Sequence, residues 1–238
     1  MAPKLEVGDT LGEVFRIYRE QAGLLLPLAF WLFLIVAIVD ALVGDDLSLF
    51  WIGLIVSTLV GTLYQGMVVG LVGDIQDGRR DWSAGELARS VLPVLGPLIA
   101  AGILAAIGIA IGIVLLIVPG LYLLTIWAVI APAIVIERRD ALEAFGRSRA
   151  LVRDHGWQVF GVVVVGGLIA LVTAIIAAQI AEAIAEGPIL RAVLSALAST
   201  LTAPVEGLIA AVLYFRLREL KGEGTAAPAA GEPPTSVP

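Results

Sequence analysis

The sequence contains no cysteine, so disulfides, thiolate nucleophiles and Cys-ligated metals are all excluded. It has a single histidine, His155. One imidazole without companions does not make a metal centre, and its place between Asp154 and Gly156, at the mouth of an apolar run, marks it as an interfacial residue. Charge is scarce: 15% of residues are charged and 59% are hydrophobic, with a mean hydropathy of +0.99. No P-loop, nucleophile elbow or zinc-protease helix is present. An ordinary catalytic mechanism has nothing to work with, and the expectation is a non-enzymatic protein without a cofactor. The net charge of -6 argues against polyanions, so no nucleic-acid partner is expected.

What is abundant is apolar sequence of membrane-crossing length. Six segments stand out: Leu24 to Val43, Phe50 to Val72, Val94 to Val118, Leu121 to Ile136, Trp157 to Ile180 and Leu190 to Phe215. At ~1.5 Å per residue each suits a hydrocarbon core of ~30 Å. Backbone groups in lipid need partners within their own segment, so these Ala-rich runs are expected to be helices rather than barrel strands. Charged residues through Glu20 precede the first run, which is too long for a signal-peptide core and reads as a retained span. Pro119-Gly120, between the third and fourth spans, reads as a turn with no room for a loop.

Charge placement gives the expected orientation. An even number of spans puts both termini on one side. Fourteen of the fifteen Lys and Arg residues then fall on that side, leaving Arg191 opposite with Asp45, Asp46, Glu182 and Glu186. Cytoplasmic N- and C-termini in the inner (plasma) membrane follow from the positive-inside rule. Residues 1–221 make a single membrane domain, and 222–238, poor in apolar residues, read as a disordered cytoplasmic tail. Asp40 reads as a solvated residue at the outer end of the first span.

A short pattern recurs before the first, third and fifth spans: Thr10-Leu-Gly-Glu13, Ser83-Ala-Gly-Glu86 and Asp140-Ala-Leu-Glu143. Each has the spacing of a capping box. In the first copy Leu11, Val14, Phe15 and Tyr18 fall on one helix face, as do Ala84, Leu87, Ala88 and Val91 in the second. The expected fold is therefore an all-α, polytopic bundle of six transmembrane helices in three hairpins, each preceded by a cytoplasmic interfacial amphipathic helix. The tandem units span about 10–75, 83–137 and 140–217.

Five arginines crowd between Arg138 and Arg153, against four acids from Glu137 to Asp154. That balance suits a helix lying on the membrane, apolar face in the acyl boundary and cations on anionic headgroups. The expected headgroup contacts are Arg16, Arg89, Arg138, Arg139, Arg147, Arg149 and Arg153, with Trp157 as interfacial anchor. Membrane lipids are thus the expected partner.

The stretch from Ile117 to Gly161 resembles a prokaryotic six-span family named after the membrane domain of some glycerophosphoryl diester phosphodiesterases and related to the YciC-like proteins. The matching residues are Pro119-Gly120, Val135-Ile136-Glu137, Ala144-Phe145, Arg147-Ser148 and Trp157, flanked by LGEVFRIYRE and LYFRLRELKGE. The resemblance implies a topology and no catalytic residues, since the phosphodiesterase barrel is absent.

Glu206 is the sharpest chemical feature. It lies about ten residues, or ~15 Å of helix, before Arg216, near the bilayer midplane. Pro204 frees the carbonyl of Thr200, and Ser199 and Thr202 add polar groups, so Glu206, Pro204, Thr200 and Thr202 form a possible midplane polar site. Intramembrane acids mark ion or proton pathways. The bland alternative is a protonated Glu206 bonded to a neighbouring helix at Gln65, Thr125 or Gln179. Gly66-x-x-x-Gly70 and Gly108-x-x-x-Gly112 permit close helix contact, most simply within this bundle. The expected function is that of a membrane scaffold or lipid-interacting module; the alternative is a transporter or channel for a small solute or ion around Glu206.

Overall fold

The computed structural model describes residues 5–44, 48–78, 83–185 and 187–223. Lys4, Asp45, Asp46, Arg79, Arg80, Glu186 and the tail from 224 lie outside the described residues, as does the side chain of Glu182. The secondary structure among the described residues is helical: α1 (Val7–Val43), α2 (Phe50–Gln76), α3 (Ala84–Val91), α4 (Leu95–Leu115), α5 (Ile117–Ile126), α6 (Ile130–Glu137), α7 (Ala141–Val152), α8 (Gly156–Ile184) and α9 (Pro188–Leu220), with a 3-10 turn at Leu92–Val94. Among the described residues six helical stretches are long and apolar enough to cross a membrane. Large apolar side chains stand exposed along them, such as Val114 at 85% and Ile189 at 81%. Surface this apolar needs hydrocarbon around it, and the chain is a multi-pass membrane protein.

α9 is the most buried of the spans. It packs along α1, with α2 and α8 also against it, while α4 lies against α5. From Gly207 to Tyr214 every residue of α9 is buried, so this half of the helix is walled on all sides. The core there holds Val68, Val69 and Val72 of α2, Ile134 of α6 and Leu208, Leu213 and Tyr214 of α9. The end of the bundle nearest Tyr214, where Glu13, Arg147, Arg216 and Lys221 meet, is called the arginine-rich end below.

Of the three expected capping boxes one forms, and two of the three short helices, α3 and α7, stand apart from the spans. Thr10 caps nothing: its hydroxyl donates to the Glu6 carbonyl at 2.8 Å, and α1 runs unbroken from Val7 into the first span. Hydrophobic Val14 and Ile17 are buried in the core, so tertiary packing carries the helix through. Ser83 does form the capping box, its hydroxyl accepting from the Glu86 amide and its own amide donating to the Glu86 carboxylate. Asp140 occupies the cap position of α7 without a side-chain cap bond.

Nor do the apolar faces of α3 and α7 enter lipid. Leu87 and Val91 bury themselves over Gly70 and Gly66 of α2; a Cβ on Gly66 would sit 2.5 Å from Val91 Cγ1. Ala144, Leu151 and Val152 of α7 are equally buried. Glycines leave a trough on α2 that protein fills more closely than acyl chains can. The Gly108 pair likewise works inside the bundle, against Trp127 and Gly120.

Pro119-Gly120 is not the turn. The chain reverses at Leu116, which is extended (φ -163°, ψ 136°), and Pro119 sits in the first turn of α5, where its missing amide has no intrahelical acceptor to lose. Pro132 repeats the device in the first turn of α6, and the fourth span breaks at Trp127–Val129. Ser148, fully buried on α7, bridges that break: its hydroxyl donates to the Ile126 carbonyl at 2.8 Å and accepts from the Val129 amide at 3.3 Å. Ser148→Ala leaves both backbone groups unpaired and is expected to cost about 1–3 kcal/mol, measured as a shift in detergent-solubilised unfolding. An unchanged midpoint refutes the bridging role.

Candidate functional site

Glu206 opens into a groove of about 380 Å³ between α1, α2 and α9, lined by Phe33 of α1, Ser57, Thr58, Thr62, Tyr64 and Gln65 of α2, and Ser199, Thr202, Ala203 and Gly207 of α9. Helical periodicity explains the set. Positions 199, 202, 203 and 206 share one face of α9, and 58, 61, 62 and 65 share one stripe of α2. Glu206 is exposed while Pro204, Val205 and Gly207 beside it are buried.

The predicted cluster is therefore split. Glu206 and Thr202 line the groove. Thr200 faces the core, its hydroxyl donating to the Ala196 carbonyl at 2.7 Å, and Pro204 is buried. Gln65 reaches the groove without bonding to Glu206, and Thr125 is occupied by the Leu121 carbonyl at 2.7 Å. Among the described residues, the side chains of Thr62, Gln65, Ser199 and Glu206 have no protein hydrogen-bond partner. Ser57 and Thr58 donate back to the Leu54 carbonyl at 3.0 and 2.7 Å, leaving their oxygens free to accept. Sequence reasoning missed Ser57, Thr58 and Thr62. Their spacing with Gln65 was the available signal.

The groove has a closed and an open end. Toward the arginine-rich end α9 is buried on every side from Gly207. In the opposite direction the stripe of α2 continues through Leu54 and Trp51, which are 44% and 64% exposed. The polar lining thus ends at Ser57 and Thr58, and the same stripe continues as exposed apolar surface.

Beyond the closed end lies a second polar cluster. Glu137, at the end of α6, accepts from Arg139 Nε at 2.5 Å, Arg147 Nε at 2.7 Å and the Tyr214 hydroxyl at 2.7 Å. The far side of the Arg147 guanidinium grips both carboxylate oxygens of Glu223. Arg218 lies over the Tyr214 ring, 5.5 Å from its centroid, with its Nε 3.9 Å from Glu223. The hydrogen bond to Glu223 raises the Arg147 pKa, and Arg147 in turn lowers that of Glu223. Two further clasps flank the cluster: Arg216 on Glu13 at 2.8 Å, and Lys221 on Asp154 at 3.0 Å, which lowers the Asp154 pKa.

Arg147 is accordingly no headgroup contact. Its side chain is 17% exposed and held between two carboxylates. Arg139 is half-buried on Glu137, and Arg138 donates to the Ser90 carbonyl at 2.8 Å. Arg16 is exposed and paired with Glu20; Arg89, Arg149 and Arg153 are also exposed. Trp157 stands 83% exposed in the first turn of α8. Glu223, assigned above to the tail, closes the cluster, and Gly222 continues the turn that leads to it.

A family profile described as a domain of unknown function, DUF7847, matches residues 6–217, which hold the groove, Glu137, Arg147 and Tyr214. The chain belongs to the DUF7847 family. No curated protein and no solved structure matches it. Within this DUF7847 member no group of three or more His, Cys, Asp or Glu residues can hold a metal ion among the described residues.

Proposed function

We propose that this DUF7847 protein is a non-enzymatic integral membrane protein of transporter or channel type, taking a small polar solute or ion into the groove at Glu206. The observation that carries the reading is an intramembrane carboxyl without a protein partner, in a cavity lined by unpaired hydroxyls and an amide. Burying such groups in a bilayer is costly unless something polar meets them. The closed end of the groove faces the arginine-rich end, so with cytoplasmic termini in the plasma membrane the cavity opens toward the outer half of the membrane.

The resemblance of Ile117–Gly161 to the phosphodiesterase-associated, YciC-like membrane family fits a non-catalytic bundle. A second reading, scaffold or lipid-interacting module, is favoured by the exposed Arg89, Arg149 and Arg153 beside exposed Leu142 and Trp157. The arginines suit anionic headgroups, and Leu142 and Trp157 suit the acyl boundary beside them.

Glu206→Gln separates the two. In proteoliposomes carrying a pH-sensitive dye, the substitution is expected to reduce proton or alkali-cation flux at least tenfold while leaving binding to anionic vesicles intact. Wild-type protein that conducts nothing across a panel of ions and small metabolites overturns the transport reading.

A further inference from the structure

We propose that the groove selects a membrane-partitioning primary amine: an ammonium group seated on Glu206, with an apolar body reaching it from the hydrocarbon. This rests on the reading of the groove as a solute site and names the chemistry of its solute. Charge gives the sign. Glu206 is the only ionisable carboxylate or cation among the lining residues, so the countercharge comes from the ligand and is a single positive one. A phosphate-bearing headgroup finds no lysine or arginine there, which disfavours aminophospholipids.

Size and hydrogen bonding narrow it further. About 380 Å³ falls within the ~300–1,000 Å³ of small-molecule sites and is far more than one cation fills. A primary ammonium brings three N–H donors that need acceptors out of water. The Glu206 carboxylate, the Gln65 amide oxygen and the Thr62 and Ser199 hydroxyls are available, since none has a protein partner among the described residues. A quaternary ammonium leaves those acceptors unmet, although Phe33 and Tyr64 in the wall suit either cation.

Access gives the apolar body. The route in passes Leu54 and Trp51 on the lipid-facing stripe of α2, and the opposite direction is blocked by the packed core around Val68 and Leu208. A Cβ on Gly207 would sit 2.9 Å from the Val68 side chain, which shows how tightly that floor is closed. A ligand dissolved in the bilayer therefore reaches Glu206 without crossing a polar barrier.

The test is isothermal titration of the full-length protein in a nonionic detergent with octylamine, octyltrimethylammonium, octanoate, and sodium or potassium chloride. Saturable octylamine binding is expected, at least tenfold weaker for octyltrimethylammonium and absent for octanoate. Glu206→Gln is expected to weaken it at least tenfold and Gln65→Leu severalfold. Should Glu206→Gln fail to fold, Gln65→Leu carries the comparison. Octylamine uptake that is unsaturable, or equal in wild type and both variants, overturns the proposal. Alkali-cation binding or proton flux that depends on Glu206 without any amine site also overturns it, while leaving the transport reading standing. Equal affinity for the quaternary amine overturns the selection of a primary amine as well.

Discussion

Arg147→Ala is expected to destabilise the folded protein by about 3 kcal/mol, because truncating one partner of a largely buried ion pair leaves the other charge uncompensated. The partner is Glu137, 15% exposed, whose remaining contacts are the half-exposed Arg139 and the Tyr214 hydroxyl. Glu223 contributes less, since at 38% exposure water screens and replaces its contact. The expected order is therefore Arg147→Ala well above Glu223→Ala, read from urea or thermal unfolding in micelles. Arg147→Lys recovers only part of the loss, because an ammonium cannot bridge two carboxylates with a planar fork. Combining Arg147→Ala with Glu137→Gln removes the stranded charge, and the double variant is expected to be more stable than Arg147→Ala alone. Additive losses would mean that Glu137 and Arg147 act independently.

The same cluster shows how far the sequence could be read. Six spans were legible because runs of about twenty apolar residues have few other uses. The motif around Glu137, Phe145, Arg147 and Ser148 was legible as a pattern but not as an object. Its arginines looked like headgroup ligands because sequence gives charge without direction. Folding turns Arg147 toward Glu137, places Phe145 against Trp127 with ring centroids 4.9 Å apart, and sets Ser148 under a broken helix. Each role depends on a partner 10 or more residues away. Thr10 failed as a cap for a related reason: a capping box decides a helix start only where the chain is free to bend, and packing of Val14 and Ile17 removes that freedom. Glu206 was legible as an oddity in an apolar run, whereas its groove needed the register of α2 against α9. Ser57, Thr58 and Thr62 are unremarkable in sequence, as hydroxyls can satisfy themselves on their own helix.

Gly120→Ala is expected to be the other severe substitution, and it tests the turn at Leu116 without involving any charge. An added Cβ would lie 2.3 Å from Ile113 Cγ1 and 2.7 Å from the Ile113 backbone nitrogen. A side-chain tip can swing away, but the Ile113 backbone nitrogen, in the last turn of α4, moves only if the reversal at Leu116 is rebuilt. Overpacking of this kind costs about 3 kcal/mol, a large share of the ~5–15 kcal/mol that holds an ordinary protein folded. Gly112→Ala approaches the same backbone from the opposite side, 2.9 Å from Gly120 Cα and nitrogen, and should fall close behind. Gly108→Ala meets the Trp127 ring at 2.8 Å, and ring rotation makes it milder. Gly102, on the same helix, has no atom within 4 Å of the added carbon; there alanine gains up to ~1 kcal/mol of helix propensity and is neutral or stabilising. Detergent-solubilised melting temperatures of the four variants check this order. A Gly120→Ala protein that melts with the Gly102→Ala protein would mean that α4 and α5 do not touch at Gly120, and the tight turn at Leu116 would have to be abandoned.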